Sequence, residues 1–182
     1  MTSTRLKTMK KNQIFCYNVN INTKDGTIYF DFTGRFPIRS MDGMVAIFII
    51  YDCTTNVILA TPVNHMAEET IVICFKQNIT YLTKRGFKPI LNIINNVASK
   101  SVQAYLEVEK VNIQLVEPHN HMVNEAEQAI QTFKNNLIAG LSTFDISFPS
   151  LLWNKILPKA QDYLNMLSTS WVHPKLSAYS VL

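Results

Sequence analysis

The sequence predicts an α/β fold: a mixed five-stranded sheet, made of a three-strand antiparallel meander plus two parallel strands, flanked by helices. Three observations predict it. Three apolar strand segments follow one another between residues 26 and 63, joined by links too short for a crossover. Two later strand segments each follow a helix, so they add in parallel through right-handed crossovers. Two amphipathic helices then follow, with apolar stripes suited to cover a sheet.

Residues 1–24 show no clear periodicity and read as a basic arm or connector, leaving 25–182 as one domain. GTIYFDF (26–32) alternates Ile28, Phe30 and Phe32 against Tyr29 and Asp31, a strand with one acidic face. TGRFP turns the chain, and GMVAIFIIY is a continuous apolar run fit for a sheet centre. DCTTN reads as a turn, and VILATPV as a third strand ended by Pro62. Asn64 is placed to cap a helix from about Met66 to Lys84, with Glu68 and Glu69 in its first turn and Gly86 as its stop. PILNII is the fourth strand, SVQAYLEVEK a short helix, and NIQLVE the fifth strand before the loop PHNHMVN. Ala126, Ile130, Phe133, Leu137 and Leu141 follow helical spacing, so a long helix begins near Asn124. FPSLLWNKILPKAQDYLNML is another helix, with Pro158 expected to kink it. STSWVHPKLSAYSVL reads as a packed tail.

Composition excludes several classes. The chain has 182 residues, 47% of them hydrophobic, which suffices for one sizeable core. Its longest apolar run, MVAIFIIY (44–51), falls far short of the ~20 residues that span a bilayer. No membrane partner is expected, and the N-terminus lacks the apolar centre of a secretory signal. Cys16, Cys53 and Cys74 are odd in number and widely spaced, which suits a reducing, intracellular setting and neither a disulfide framework nor a zinc knuckle. The net charge of +4 comes from the arm, where Arg5, Lys7, Lys10, Lys11 and Lys24 face the single acid Asp25. From residue 26 onward twelve basic residues balance twelve acidic ones. Phosphate binding is mainly a charge effect, so the domain is not expected to grip DNA strongly. Nucleic-acid contact falls to Arg5, Lys7, Lys10 and Lys11, unless the arm is simply a solvated tail.

The order of elements is that of the ribonuclease H-like fold, which holds divalent metal with carboxylates on its first strand, fourth strand and a later helix. Three positions answer to that description: Asp31, Asn95 and Glu127. By spacing alone, Asp31 reads as an exposed residue on an edge face, Glu127 as a helix-start acid, and Asn95-Asn96 as a turn and N-cap.

From Phe30 onward the chain resembles the catalytic core of retroviral and retrotransposon integrases. The resemblance is carried by DFTGRFPIRS (31–40), YDCTTNVILATP (51–62), RGFKP (85–89), NIQLVEPHNH (112–121), EQAIQTFKNNLIAGL (127–141), FPSLLWNKILPKA (148–160) and HPKLSAY (173–179). It implies two aspartates and a glutamate holding two Mg²⁺ or Mn²⁺ ions, which clamp attacking and leaving oxygens at a DNA phosphodiester. Asp31 matches the first aspartate and Glu127 the glutamate; Asn95 stands where the second aspartate belongs. The resemblance thus makes Asp31, Asn95 and Glu127 the catalytic set and Asp31 and Glu127 the remaining metal ligands.

The family pattern Asp-Asn-Glu reads Asn95-Asn96-Val97 here, and positions where relatives carry arginines read Met122, Val123, Gln128 and Gln131. Mg²⁺ prefers anionic oxygens, and an asparagine offers one neutral carbonyl oxygen. One charge pair at 4 Å is worth about 4 kcal/mol at an effective dielectric of 20. Since ~1.4 kcal/mol is tenfold in rate, even a partial loss costs orders of magnitude. The expected function is therefore a retroelement-derived integrase-like domain for DNA integration, impaired as an enzyme, with metal binding weakened or lost. The alternative is a non-enzymatic protein-interaction or DNA-binding module that keeps the fold and a homodimer surface, for which Trp153 and the Phe/Leu stripe of the last helices are candidates. Asp52 as a substitute ligand competes with its reading as a turn residue, and His119 and His121 as zinc ligands with loop histidines, no cysteine or third histidine lying near.

Overall fold

A computed structural model describes residues 25–94, 99–115 and 124–182. Five strands form one sheet in the order β3-β2-β1-β4-β5. They are β1 (Thr27–Phe32), β2 (Ala46–Asp52), β3 (Val57–Val63), β4 (Leu91–Ile94) and β5 (Asn112–Leu115). β1, β2 and β3 pair antiparallel, and β4 joins β1, and β5 joins β4, in parallel. The meander plus two crossovers is the arrangement the sequence predicts. β2 is central in burial as well as in pattern: all seven of its residues are buried.

Helices α1 (Glu68–Lys84) and α2 (Lys100–Val108) cover one face. There Ile28, Phe48 and Ile50 pack with Phe75, Ile79, Leu82 and Leu106. Helices α3 (Asn124–Ser142) and α4 (Trp153–Leu167) cover the other, where Ile47 and Ile49 meet Ile130, Phe133, Leu137 and Leu157. The strict alternation of β1 and β2 makes this two-sided core possible. A short α5 (Ala178–Val181) packs Ala178 beneath the first face, and a bridge from Thr169 to Ser177 draws the tail in before it.

Several boundaries differ from expectation, each for a local reason. β3 is not ended by Pro62; it runs through it, with Pro62 paired to Ile47. On this edge strand the N–H groups of Ile58 and Ala60 point away from β2 and are met by side chains of α4. Pro62 continues that outward row, where a missing N–H breaks no ladder bond. α1 starts at Glu68 rather than Met66, and Asn64 does not cap it; the N-cap is Ala67, without a side-chain bond. The acids of the first turn set the start, because carboxylates favour the positive end of the helix. Ser99 caps α2 by accepting from the Val102 N–H. The last long helix is split: Ser150–Leu152 form a 3-10 turn, and α4 then continues through Pro158.

Gly26 opens β1 with φ +72°, and a Cβ there would meet Ile90 Cγ1 at 2.5 Å. Only glycine allows its carbonyl to accept from both Ile90 and Leu91 and so dock β4. No helix among the described residues is long and apolar enough to cross a membrane.

Candidate functional site

Asp31 is the fifth residue of β1 and lies opposite Ile49. Ile49 belongs to the core beneath α3 and α4, so the same alternation that packs the half-buried Phe30 and Phe32 against the other face turns Asp31 toward α3. Its Oδ1 accepts the Phe32 N–H at 2.7 Å, which fixes the carboxylate at the strand end. Although solvent reaches it, its pKa is raised. Partial withdrawal from water is the main cause, and the Glu127 carboxylate adds to it; the Phe32 N–H and the Lys134 ammonium oppose it.

Glu127 is exposed on α3, two residues before Ala129 and three before Ile130, both buried. That packing sets α3 against the Ile49 face and leaves Glu127 on the flank. α3 packs against β1, and the Glu127 carboxylate is near enough to contribute to the raised pKa of Asp31. Lys134 follows buried Phe133 on α3, and its side chain is half-buried. It lines a recess of about 140 Å³ with Thr33, Gly34 and Phe36, directly past the end of β1. Helical spacing puts Lys134 on the flank beside the apolar stripe of Ile130, Phe133 and Leu137. It stands about two turns of helix from Glu127.

Asn95 lies outside the described residues, as do Asn96, Val97, His119, His121, Met122, Val123 and the basic residues Arg5, Lys7, Lys10 and Lys11. Gln128 and Gln131 are on α3; Gln131 is exposed and donates to Asn135 Oδ1.

Asp52 is not a substitute ligand. It ends β2 opposite Ile28, on the α1–α2 face, whereas Asp31 lies opposite Ile49 on the α3 face. Its Oδ2 accepts the Thr55 N–H at 2.9 Å and the Thr55 hydroxyl at 2.6 Å. The carboxylate is a turn cap, as its DCTTN context suggests.

No group of three His, Cys, Asp or Glu side chains among the described residues is arranged to hold a metal. Among the described residues the candidate donors are the carboxylates of Asp31 and Glu127, and the Lys134 charge acts on Asp31. A pair of divalent cations needs more anionic oxygen than two carboxylates supply, so the described residues alone do not complete a two-metal centre.

No family model matches the chain, and none of the curated proteins matches it. Solved structures do. The simian T-cell lymphotropic virus intasome, solved with PP2A regulatory subunit B56 gamma, contains a chain that is 15% identical, with a TM-score of 0.64 over 85% of this chain. This chain spans about half of that one, 53% of its length. The HTLV-2 integrase catalytic core, solved with magnesium in a trimeric form, is 16% identical with a TM-score of 0.60, covering 85% of this chain and 94% of the core. The BIV integrase catalytic core is 14% identical with a TM-score of 0.62, covering 86% and 93%. The chain has the ribonuclease H-like fold of retroviral integrase catalytic cores.

Proposed function

We propose that this is an integrase-like domain descended from a retroelement, in which metal-dependent phosphoryl transfer on DNA has been lost or severely impaired. The reading is supported by the packing of α3 on β1, which lets the Glu127 carboxylate act on Asp31, with no group of three metal-binding side chains among the described residues. The fourth strand supports it. Tyr29 pairs with Ile93 in parallel, and two residues beyond each along the sequence come Asp31 and Asn95. On this reading, the position that would complete the cluster carries a neutral amide. HTLV-2 integrase cores solved with magnesium, in dimeric and trimeric forms, support ancestral divalent metal use and self-association.

The test is Asn95→Asp, which restores a charge with almost the same shape. Three carboxylates gathered without metal repel one another, so in chelator the variant should melt below the parent. With millimolar Mg²⁺ or Mn²⁺ it should gain more stability than the parent does. Equal metal-induced shifts in the two proteins would overturn the reading of the site. Mn²⁺-dependent joining of short DNA duplexes by the parent would overturn the claim of impairment.

A further inference from the structure

We propose that the recess between α3, the turn joining β2 to β3 and the tail after α4 is a binding site for a small, uncharged ring of purine type, which stacks on Trp171 and is read at its edge by Gln128. The inference does not depend on the carboxylates. At 3.6 residues per turn, Gln128 and Thr132 lie across the buried stripe of Ala129, Ile130 and Phe133 from Glu127 and Lys134.

The recess holds about 280 Å³, near the lower end of clefts that take small molecules, so it suits a single ring system. Its floor is apolar, made by the buried Ile58 and Ala129. One wall is aromatic. Trp171 is 56% exposed yet held in place: its Nε1 donates to the Tyr51 hydroxyl at 3.4 Å, and that hydroxyl donates to Asn56 Oδ1 at 2.9 Å. Asn56 Nδ2 in turn donates to the Thr169 carbonyl at 2.8 Å, which closes the chain of bonds on the tail itself. The indole is thus set before a ligand arrives, and little ordering is left for binding to do. The opposite rim is polar, with the exposed Gln128 amide and Thr132 hydroxyl of α3. No lining residue is charged at neutral pH, so a phosphate, carboxylate or ammonium group would lose its water there without a counter-charge. A neutral ring with a π face and an adjacent donor and acceptor uses floor, wall and rim together. A glutamine amide meets the amino group and N7 of adenine with two hydrogen bonds, and an aromatic side chain stacks on its face. A base paired and stacked inside a duplex cannot enter, so the ligand is a free purine nucleoside or an unpaired base.

The test is a ligand-observed NMR titration of the full-length protein with adenosine, 7-deazaadenosine and glucose. Adenosine should bind saturably. 7-Deazaadenosine, which lacks the N7 acceptor, should bind about tenfold more weakly, and glucose should not bind. Trp171→Ala should weaken adenosine binding about tenfold, and Trp171→Phe, which keeps a stacking ring, should retain it. Gln128→Ala should remove the preference for adenosine over its 7-deaza analogue. Gln128 is exposed on α3, so this variant should melt as the parent does. A short single strand of dA at high salt should compete with adenosine if the base comes from an unpaired strand, and fail to compete if it comes as a free nucleoside. Absence of saturable adenosine binding, or binding that both Trp171→Ala and Gln128→Ala leave unchanged, overturns the proposal. So does binding of glucose in place of adenosine.

Discussion

Asn165 and Ile58 exchange two hydrogen bonds across the sheet edge: the Ile58 N–H donates to Asn165 Oδ1 at 3.0 Å, and Asn165 Nδ2 donates to the Ile58 carbonyl at 2.8 Å. A helix side chain here imitates a sixth strand. Gln161, one turn earlier on α4, does the same for the Ala60 N–H at 2.8 Å. An open strand edge is a template for unwanted pairing, and α4 closes it with amides.

Removing Asn165 should therefore cost stability. It is 1% exposed, so Asn165→Leu leaves a buried N–H and a buried carbonyl without partners. Each such group costs ~1–3 kcal/mol. The melting temperature should fall by at least ~5 °C for a chain of this size, with Gln161→Ala, at a half-exposed position, falling less. Calorimetric melts decide it. A variant as stable as the parent would show that the edge is sealed by other means.

Asn92 is the reverse case. It is 0% exposed on β4 between Ile28 and Ile113, and neither polar atom of its amide has a partner among the described residues. Replacing a buried unsatisfied group by an apolar one removes a desolvation penalty without losing a bond. Asn92→Val, β-branched and compatible with a strand, should raise stability by about 1 kcal/mol, or ~2–4 °C in melting temperature. A fall of that size would mean that a bound water satisfies the amide.

Both amides look alike in the sequence, and only pairing separates them. Local periodicity carries the five strands, their order and the face on which Asp31 lies, because alternation along GTIYFDF has only one consistent reading once Phe30 and Phe32 pack toward the core. Pro62 misleads because periodicity does not tell which N–H row of an edge strand points outward; that depends on pairing with β2. The start of α1 shifts because an Asn before a helix and two Glu in its first turn compete as signals, and the acids prevail. Asn165, Gln161 and Lys134 act across more than a hundred residues of chain, on Ile58, Ala60 and Asp31, and no window of sequence contains both partners.

Asp52 offers a test by pH. Burial holds its carboxyl above the ordinary carboxylate range, against the opposing hydrogen bonds from Thr55 and Thr54. The unfolded chain releases this proton near pH ~3.9 and the native state only at higher pH. Between those values the native state binds more protons, so stability falls as pH rises through the window, and the ionised group is a net cost at neutral pH. The Asp52→Asn substitution removes that charge and keeps one side-chain oxygen for the Thr55 N–H. The melting temperature of Asp52→Asn relative to the parent should therefore be more favourable at pH 7 than at pH 4. A difference that does not change with pH would show that the carboxylate is no more burdened in the fold than in the unfolded chain. Because Asp52 lies on the face away from α3, the metal response of Asn95→Asp should be the same with or without this change.

The arm allows the last test. Residues 26–182 carry equal numbers of acids and bases, so whatever affinity the chain has for DNA should come mainly from Arg5, Lys7, Lys10 and Lys11. Each phosphate neutralised releases condensed counterions, and the binding constant then falls with salt at a slope of ~0.9 per contact on duplex DNA. Four cations set a logarithmic slope no steeper than about −4, with little difference between DNA sequences. Deleting residues 1–24 keeps Gly26, on which the docking of β4 depends, so the truncated domain should melt as the full chain does. Fluorescence anisotropy with labelled duplexes across a salt series should then show weak, salt-sensitive binding by the full chain and its loss in the truncated one. Unchanged binding after truncation would move the DNA contact onto the neutral domain and remove the arm's role.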